Sequence, residues 1–222
     1  MAVLTVDDAP SPRFAEKLAR LRKEKIPAVF FVWGELAAGA EDLLVEALAA
    51  GYRLGNHSWT HPRFSDLDEA GARYEIERTD RLLAALYERA GVRWERKYFR
   101  FPYFDRGGAN GREAAFQRLL AERGYAALDA ARLDAAGAGA AGAGAGAARR
   151  DSLCDFDQME YWLGQAGAPD GLDRAETILS RIGGGHPAAA DVILIHDHAY
   201  SHDLFFACLD RYRELGLTFD LP

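Results

Sequence analysis

Two adjacent carboxylates, Asp7 and Asp8, follow the short apolar run Val3–Val6 and precede Ala9 and Pro10. Carboxylates paired in this way can divide the work of hydrolysis, because one can bind a divalent metal ion while its neighbour takes a proton from water. The same pair can also be a helix cap or a solvated turn. The motif therefore predicts a metal-assisted site only in combination with further ligands.

Two histidines supply such ligands, since His57 and His61 follow the candidate strand Tyr52–Asn56. A spacing of four residues places both imidazoles on one face of a helical turn, which suits chelation. With Asp7 or Asp8 they form a His-His-carboxylate set that leaves coordination positions open for catalysis. A pair of surface histidines is the alternative interpretation.

An arginine, Arg100, lies inside the aromatic segment Phe99–Phe101. A buried guanidinium needs a partner, and a carboxylate is the natural one. The alternative is a strand-end arginine whose head reaches solvent. The turn at Pro102-Tyr103 directs a backbone N–H that can face a developing oxyanion.

A last candidate, His196, ends the apolar run Val192–Ile195. At the end of a buried strand it can protonate a leaving amine, or it can be a core histidine with a satisfied hydrogen bond. His198 and His202 are expected to be loop residues, and His186 lies in a Gly-rich turn.

Alternating apolar runs and helical patterns must position these residues. Such alternation predicts parallel strands covered by helices, and the number of units favours a distorted (β/α) barrel with seven or eight strands, in which chemistry gathers at the C-terminal strand ends. The candidate strands are Val3–Val6, Ala28–Trp33, Tyr52–Asn56, Tyr98–Phe101, Tyr125–Leu128, Ser152–Phe156, Val192–Ile195 and Thr218–Leu221. The candidate helices are Arg13–Lys25, Glu41–Ala49, Ala70–Arg89, Arg112–Arg123, Asp173–Ile182 and Asp203–Leu215.

The order of these motifs resembles the polysaccharide deacetylase family, which includes the NodB homology domain and is also called carbohydrate esterase family 4. Thr5–Pro10 is similar to its first motif, T-F-D-D-G-P, and His57–His61 to its second, H-S/T-x-x-x-H. Arg100–Tyr103 is similar to the third motif, R-x-P-Y, and Val192–His196 to the fifth, L-x-L-x-H. The resemblance covers nearly the whole chain.

The resemblance implies a metal-dependent hydrolase. Asp8, His57 and His61 would hold the metal, usually Zn²⁺, with Co²⁺ or Ni²⁺ as alternatives. Asp7 would be the general base, and Arg100 would orient and tune it.

The resemblance also implies roles around the substrate. The backbone of Tyr103 would bind the oxyanion, Leu194 would line the pocket for the acetyl methyl group, and His196 would be the general acid. Apart from the resemblance, the aromatic residues near these motifs are candidates for stacking on a sugar. Tyr103 and Trp162 are the preferred ones, and the others are Trp59, Phe64, Phe104 and Tyr161.

Two departures from the family pattern occur. Ala9 replaces the usual glycine of the first motif. The fourth motif, whose carboxylate supports the acid histidine in the family, has no close match in this sequence. Strand alternation sends Asp155 and Asp157 to the same side, and Asp157 is the favoured partner of His196 because it lies nearer the predicted strand end. Asp155 and then Asp134 are the alternatives.

Composition narrows the class of protein. The 222 residues carry a net charge of −7, which argues against a broad nucleic-acid surface, and 49% are hydrophobic. No apolar run reaches about 18 residues, so no membrane span is expected. Met1–Pro10 lacks the pattern of a signal peptide, and the two cysteines form no disulfide framework. Neither the compartment nor the oligomeric state is indicated.

A single catalytic domain over 1–222 is expected. Residues 135–148, which are only Ala and Gly, form either a low-complexity loop or a segment of unidentified side chains. The predicted function is removal of N-acetyl groups from N-acetylglucosamine-containing carbohydrate, of the chitin or peptidoglycan type. The alternatives are an O-acetyl xylan esterase or small-amide amidase on the same site, and a non-catalytic carbohydrate-binding module.

Overall fold

In the computed structural model, residues 1–108, 111–128, 149–183, 185, 187 and 191–222 are described. Five parallel strands form one sheet in the order β3-β2-β1-β5-β4. The strands are β1 (Val3–Ala9), β2 (Ala28–Val32), β3 (Arg53–Asn56), β4 (Phe156–Asp157) and β5 (Val192–His196). The helices are α1 (Phe14–Glu24), α2 (Glu41–Ala49), α3 (Glu69–Arg89), α4 (Glu113–Glu122), α5 (Ala175–Ser180) and α6 (His202–Glu214).

The central strand β1 is buried along its whole length, as expected for a parallel strand covered on both faces. Its side chains alternate: Leu4 and Val6 join the large core that packs under the helices, whereas Val3 belongs to a separate cluster on the other face. Alternation places Thr5 and Asp7 on the same face as Val3. Thr5 and Asp7 of the first motif therefore lie on the face of the sheet opposite the large core, which is its inner face.

Fewer strands form than the sequence predicts, since the described residues contain five rather than seven or eight. The predicted strands near Phe99 and Tyr125 make only isolated bridges: Asn56 with Phe99, Lys97 with Tyr125, and Phe99 with Asp151. The segment near Phe99 is too short for a continuous strand ladder, because a 3₁₀ turn begins at Pro102.

Two further strand predictions change in extent. The strand expected at Ser152–Phe156 is observed as Phe156–Asp157, and the one expected at Thr218–Leu221 makes only the Ala2–Phe219 bridge. The predicted helices are all present, with ends that shift by up to two residues.

No helix in the described part of the chain is long and apolar enough to span a membrane. Asp134, residues 135–148 and His186 lie outside the described residues.

Candidate active site

A cavity of about 420 Å³ opens at the C-terminal ends of β1 and β5. Every residue predicted to bind metal or take part in catalysis lines it, except Arg100, which is buried beneath. The carboxyl ends of parallel strands lie at one edge of a sheet, and functional side chains are commonly found at that edge. The sequence motifs, which are far apart in the chain, therefore converge.

One carboxylate and two imidazoles form a compact cluster in this cavity. Nε2 of His57 lies 3.4 Å from Oδ1 of Asp8, and Nε2 of His61 lies 3.1 Å from the same oxygen. The ligand atoms of the three residues all lie within 4.8 Å of one another. Asp8 and His61 both have a φ of 60°, a left-handed backbone conformation that is uncommon for non-glycine residues.

The cluster has the chemistry of a cation site. Oδ1 of Asp8 is buried and has no hydrogen-bond partner among the described residues. Nδ1 of His57 donates to the carbonyl oxygen of Arg100 at 2.9 Å. The lone pair of the other ring nitrogen, Nε2, is therefore directed at Oδ1 of Asp8. Two electron-rich atoms face each other here, and a divalent ion held by Asp8, His57 and His61 fits this arrangement.

The charge state of Asp8 suits a ligand. Burial alone would raise the pKa of Asp8, but the hydrogen bond with His198 and the close imidazoles of His57 and His61 lower it well below the ordinary value. The carboxylate therefore stays ionised through the physiological pH range.

The loop that carries the two histidines is fixed by a buried glutamate on α3. The carboxylate of Glu75 accepts hydrogen bonds from the backbone N–H of Trp59 at 2.8 Å, from the N–H of Thr60 at 2.7 Å, and from the Thr60 hydroxyl at 2.9 Å. These charge-assisted bonds hold the turn between His57 and His61 in one conformation. Glu75 was not singled out from the sequence, because it lies in an ordinary helical pattern.

The expected contact between Arg100 and Asp7 is present. Nη1 of Arg100 donates to Oδ1 of Asp7 at 2.7 Å and to the hydroxyl of Thr5 at 2.9 Å. Nε and Nη2 donate to the carbonyl oxygens of Ser152 and Leu153. The guanidinium is fully buried, and every contact fixes its plane relative to Asp7.

The carboxylate that contacts His196 is Glu160, not the favoured Asp157 or the alternative Asp155. Oε1 of Glu160 lies 3.1 Å from Nδ1 of His196 and also accepts a hydrogen bond from the His196 backbone N–H. Oδ1 of Asp157 instead accepts from the backbone N–H of Met159 at 2.9 Å, and Oδ2 of Asp155 accepts from the N–H of Val192 at 2.8 Å.

The buried Glu160 changes the acidity of its neighbours. Burial alone would lower the pKa of His196, but the charge and hydrogen bond of Glu160 raise it to about 10. Burial and the charge of Glu160 raise the pKa of Asp157, although His196 opposes this shift. His196 is thus held in its protonated form at neutral pH.

The predicted substrate residues lie in different environments. Leu194 is buried in the cavity wall, whereas the side chain of Tyr103 is 57% exposed at its rim. Trp162 does not line the cavity and packs against the large core instead. Successive side chains of the 3₁₀ turn Glu160–Trp162 point about 120° apart, so Tyr161 faces the cavity and Trp162 turns away.

His198, expected to be a loop residue, lies against the cluster. Its Nε2 is 2.7 Å from Oδ2 of Asp8, and its ring stacks on His196 with centroids 5.2 Å apart. The sequence held a signal for this, because residues two apart in an extended segment point to the same side, and His198 follows His196 by two.

Comparison with known proteins identifies relatives. The chain is 33% identical over 101 residues to a chitooligosaccharide deacetylase from Sinorhizobium fredii, which covers 45% of each chain. It is also 33% identical over 101 residues to a peptidoglycan-N-acetylglucosamine deacetylase from Bacillus cereus, over 45% of this chain and 35% of the relative. Both alignments span less than half of the curated relative.

The fold is shared with solved structures. A polysaccharide deacetylase from Bacillus cereus superposes with a TM-score of 0.70 at 23% identity, covering 100% of this chain and 91% of that one. The family model described as polysaccharide deacetylase matches residues 1–123, more than half of the chain, and this stretch contains the first three motifs. The chain therefore belongs to the polysaccharide deacetylase family.

Proposed function

We propose that the chain hydrolyses N-acetyl groups of N-acetylglucosamine-containing oligosaccharides or polysaccharides, using a divalent metal ion held by Asp8, His57 and His61. The observation that carries the proposal is the meeting, in one cavity, of a cation-suited cluster with a carboxylate on one side and a protonated imidazole on the other. Metal-assisted amide hydrolysis needs a base, an acid and a Lewis acid in this arrangement.

The base is Asp7. When bound, the metal supplies Lewis-acid chemistry, making water more acidic and polarising a carbonyl oxygen. Zn²⁺ suits the two imidazoles and the carboxylate, and Co²⁺ or Ni²⁺ are alternatives. Asp7 lies beside the cluster, with Oδ2 at 3.6 Å from Nε2 of His57, and its other oxygen is occupied by Arg100. Oδ2 therefore takes the proton of the attacking water.

Oxyanion binding falls to the backbone of Tyr103. Its N–H makes no intramolecular hydrogen bond within the described residues, whereas the N–H of Phe104 donates to Phe101. Tyr103 adopts a φ of 57° in the turn after Pro102. A free donor fixed in a tight turn can stabilise charge that develops on the acetyl oxygen.

The acid is His196, positioned by Glu160. As the C–N bond breaks, the imidazolium of His196 gives its proton to the departing sugar amine. Leu194 lies next to it on the inner face of β5 and offers an apolar wall for the acetyl methyl group. In this proposal the five-stranded sheet is part of a distorted barrel of seven or eight strands, completed by the bridged segments near Phe99, Tyr125 and Asp151.

The substrate class follows from the relatives, which are named for chitooligosaccharide and peptidoglycan deacetylation. The test is acetate release from chitooligosaccharides, peptidoglycan fragments and acetylated xylan by metal-stripped chain, with and without added Zn²⁺, Co²⁺ or Ni²⁺. We expect release from the N-acetylated substrates that a chelator abolishes and metal restores. Release from acetylated xylan alone would indicate an esterase, and no release from any substrate by metal-loaded chain would contradict the proposal.

A further inference from the structure

We propose that His198 is a positioning residue that fixes the orientation of Asp8 and thereby sets the affinity of the metal site. The inference rests on the proposed metal site at Asp8, His57 and His61. It concerns a residue that follows the fifth motif and that the motif pattern does not include.

The two oxygens of Asp8 have different neighbours. Oδ1 faces Nε2 of His57 and His61 and lacks a hydrogen-bond partner, whereas Oδ2 is bound by His198 at 2.7 Å. A carboxylate can only accept, so Nε2 of His198 carries the proton of this bond. His198 thus occupies one oxygen and directs the other towards the two imidazoles.

His198 is itself held on its other edge. Its Nδ1 lies 2.8 Å from the hydroxyl of Tyr200, and that hydroxyl lies 3.0 Å from the carbonyl oxygen of Tyr161. The imidazole also stacks on His196 at 5.2 Å and on Tyr200 at 5.0 Å, with interplanar angles of 21° and 22°. These ring contacts and the contacts at both nitrogens restrict rotation of the ring.

The backbone of His198 is anchored by a buried ion pair. Nζ of Lys17 donates to the carbonyl oxygen of His198 at 2.9 Å and to Oδ1 of Asp197 at 2.7 Å. Both side chains of the ion pair are almost fully buried, and Asp197 also accepts from the Ser11 hydroxyl. The segment that follows β5 is therefore fixed against α1 and the end of β1.

A pre-oriented ligand binds metal more tightly than a free one, because less freedom is lost on binding. Hydrogen-bond partners behind metal ligands typically contribute about 10–100-fold to metal affinity. Without His198, Asp8 can rotate about its side-chain bonds, so Oδ1 no longer points constantly at His57 and His61. The structure thus assigns His198 an effect on binding that does not require contact with substrate.

The test measures Zn²⁺ affinity of metal-stripped chain by competition with a chromophoric chelator, and the visible absorption of the Co²⁺-loaded chain. We expect His198→Ala to weaken Zn²⁺ binding by about 10–100-fold and to change the Co²⁺ spectrum. His198→Gln keeps an N–H near the position of Nε2 and should restore most of the affinity. Tyr200→Phe, which removes the hydroxyl contacts to His198 and Tyr161 but leaves the His198–Asp8 hydrogen bond in place, should have a smaller effect.

The matched control is His202→Gln, because His202 is also a buried histidine but pairs with the half-exposed Glu16 and not with the cluster. It should leave Zn²⁺ affinity unchanged, and the melting temperature of each metal-free variant reports on folding. Equal Zn²⁺ affinity for wild-type chain and folded His198→Ala would overturn the inference. If instead the wild-type chain binds no Zn²⁺, or Asp8→Asn binds it as tightly as the wild type, the proposed metal site itself fails.

Discussion

Nη1 of Arg100 donates to Oδ1 of Asp7 at 2.7 Å, and both side chains are almost completely buried. A carboxylate that must act as a base needs to stay ionised and to keep one oxygen free. The guanidinium occupies one oxygen and compensates the buried charge, while Oδ2 remains on the side of His57. The ion pair therefore links the stability of the fold to the proposed chemistry.

The first prediction concerns the base. Asp7→Asn removes proton abstraction and leaves the three proposed metal ligands in place. We expect kcat to fall by about 10²–10⁴-fold, the usual contribution of a general base, while Zn²⁺ affinity stays within a few-fold of wild type. Deacetylation kinetics and chelator competition measure the two quantities. Near-normal kcat in this variant would move the base role to another group.

The second prediction concerns the cost of breaking the pair. Arg100→Met leaves the Asp7 carboxylate buried without its partner, and loss of one member of a buried pair costs about 3–5 kcal/mol. We expect this drop in the free energy of unfolding, measured by denaturant titration of metal-free chain.

The double variant Asp7→Asn/Arg100→Met tests the coupling, because neutral Asn needs no compensating charge. The Arg100→Met substitution should cost clearly less in the Asp7→Asn background. An equal cost in both backgrounds would show that Arg100 stabilises the fold through Thr5, Ser152 and Leu153 rather than through Asp7.

Local patterns sufficed to predict the strand-end residues. Asp8 lies near the C-terminal end of β1 and the two histidines follow β3, and parallel topology brings such ends together. Glu160 could not be predicted by strand alternation, because the chain leaves β4 at Asp157 and turns at Met159, which has a φ of 60°. The Asp157 carboxylate accepts a hydrogen bond from the Met159 N–H within that turn, which is a common role of aspartates in turns.

The third prediction concerns the loop that carries the metal ligands. Glu75→Gln leaves one acceptor oxygen where the carboxylate serves three donors from Trp59 and Thr60. Hydrogen bonds to a charged group contribute about 1.5–3 kcal/mol each, so we expect a loss of stability in this range and weaker Zn²⁺ binding. Glu77→Gln, two residues further along α3 and on a more exposed side of that helix, is the matched control. Unchanged unfolding and unchanged Zn²⁺ affinity for Glu75→Gln would contradict the role of Glu75.

The last prediction concerns the acid. The carboxylate of Glu160 raises the pKa of His196 to about 10, and the acid must be protonated to serve the leaving amine. Activity that depends on this proton is present below the pKa and is lost as pH rises through it. Glu160→Gln removes the charge that raises the pKa, so burial then lowers it. We expect the alkaline limb of the kcat/KM profile to move to lower pH, with the loss largest above neutrality.

The matched control for this last prediction is Asp157→Asn, because the Asp157 carboxylate binds the Met159 N–H and makes no hydrogen bond to His196 within the described residues. Its charge is near His196, so a small shift in the same direction is expected, but less than for Glu160→Gln. The pH dependence of kcat/KM on a chitooligosaccharide, measured with saturating Zn²⁺, separates the two variants. An alkaline limb that moves more in Asp157→Asn than in Glu160→Gln would return the supporting role to Asp157.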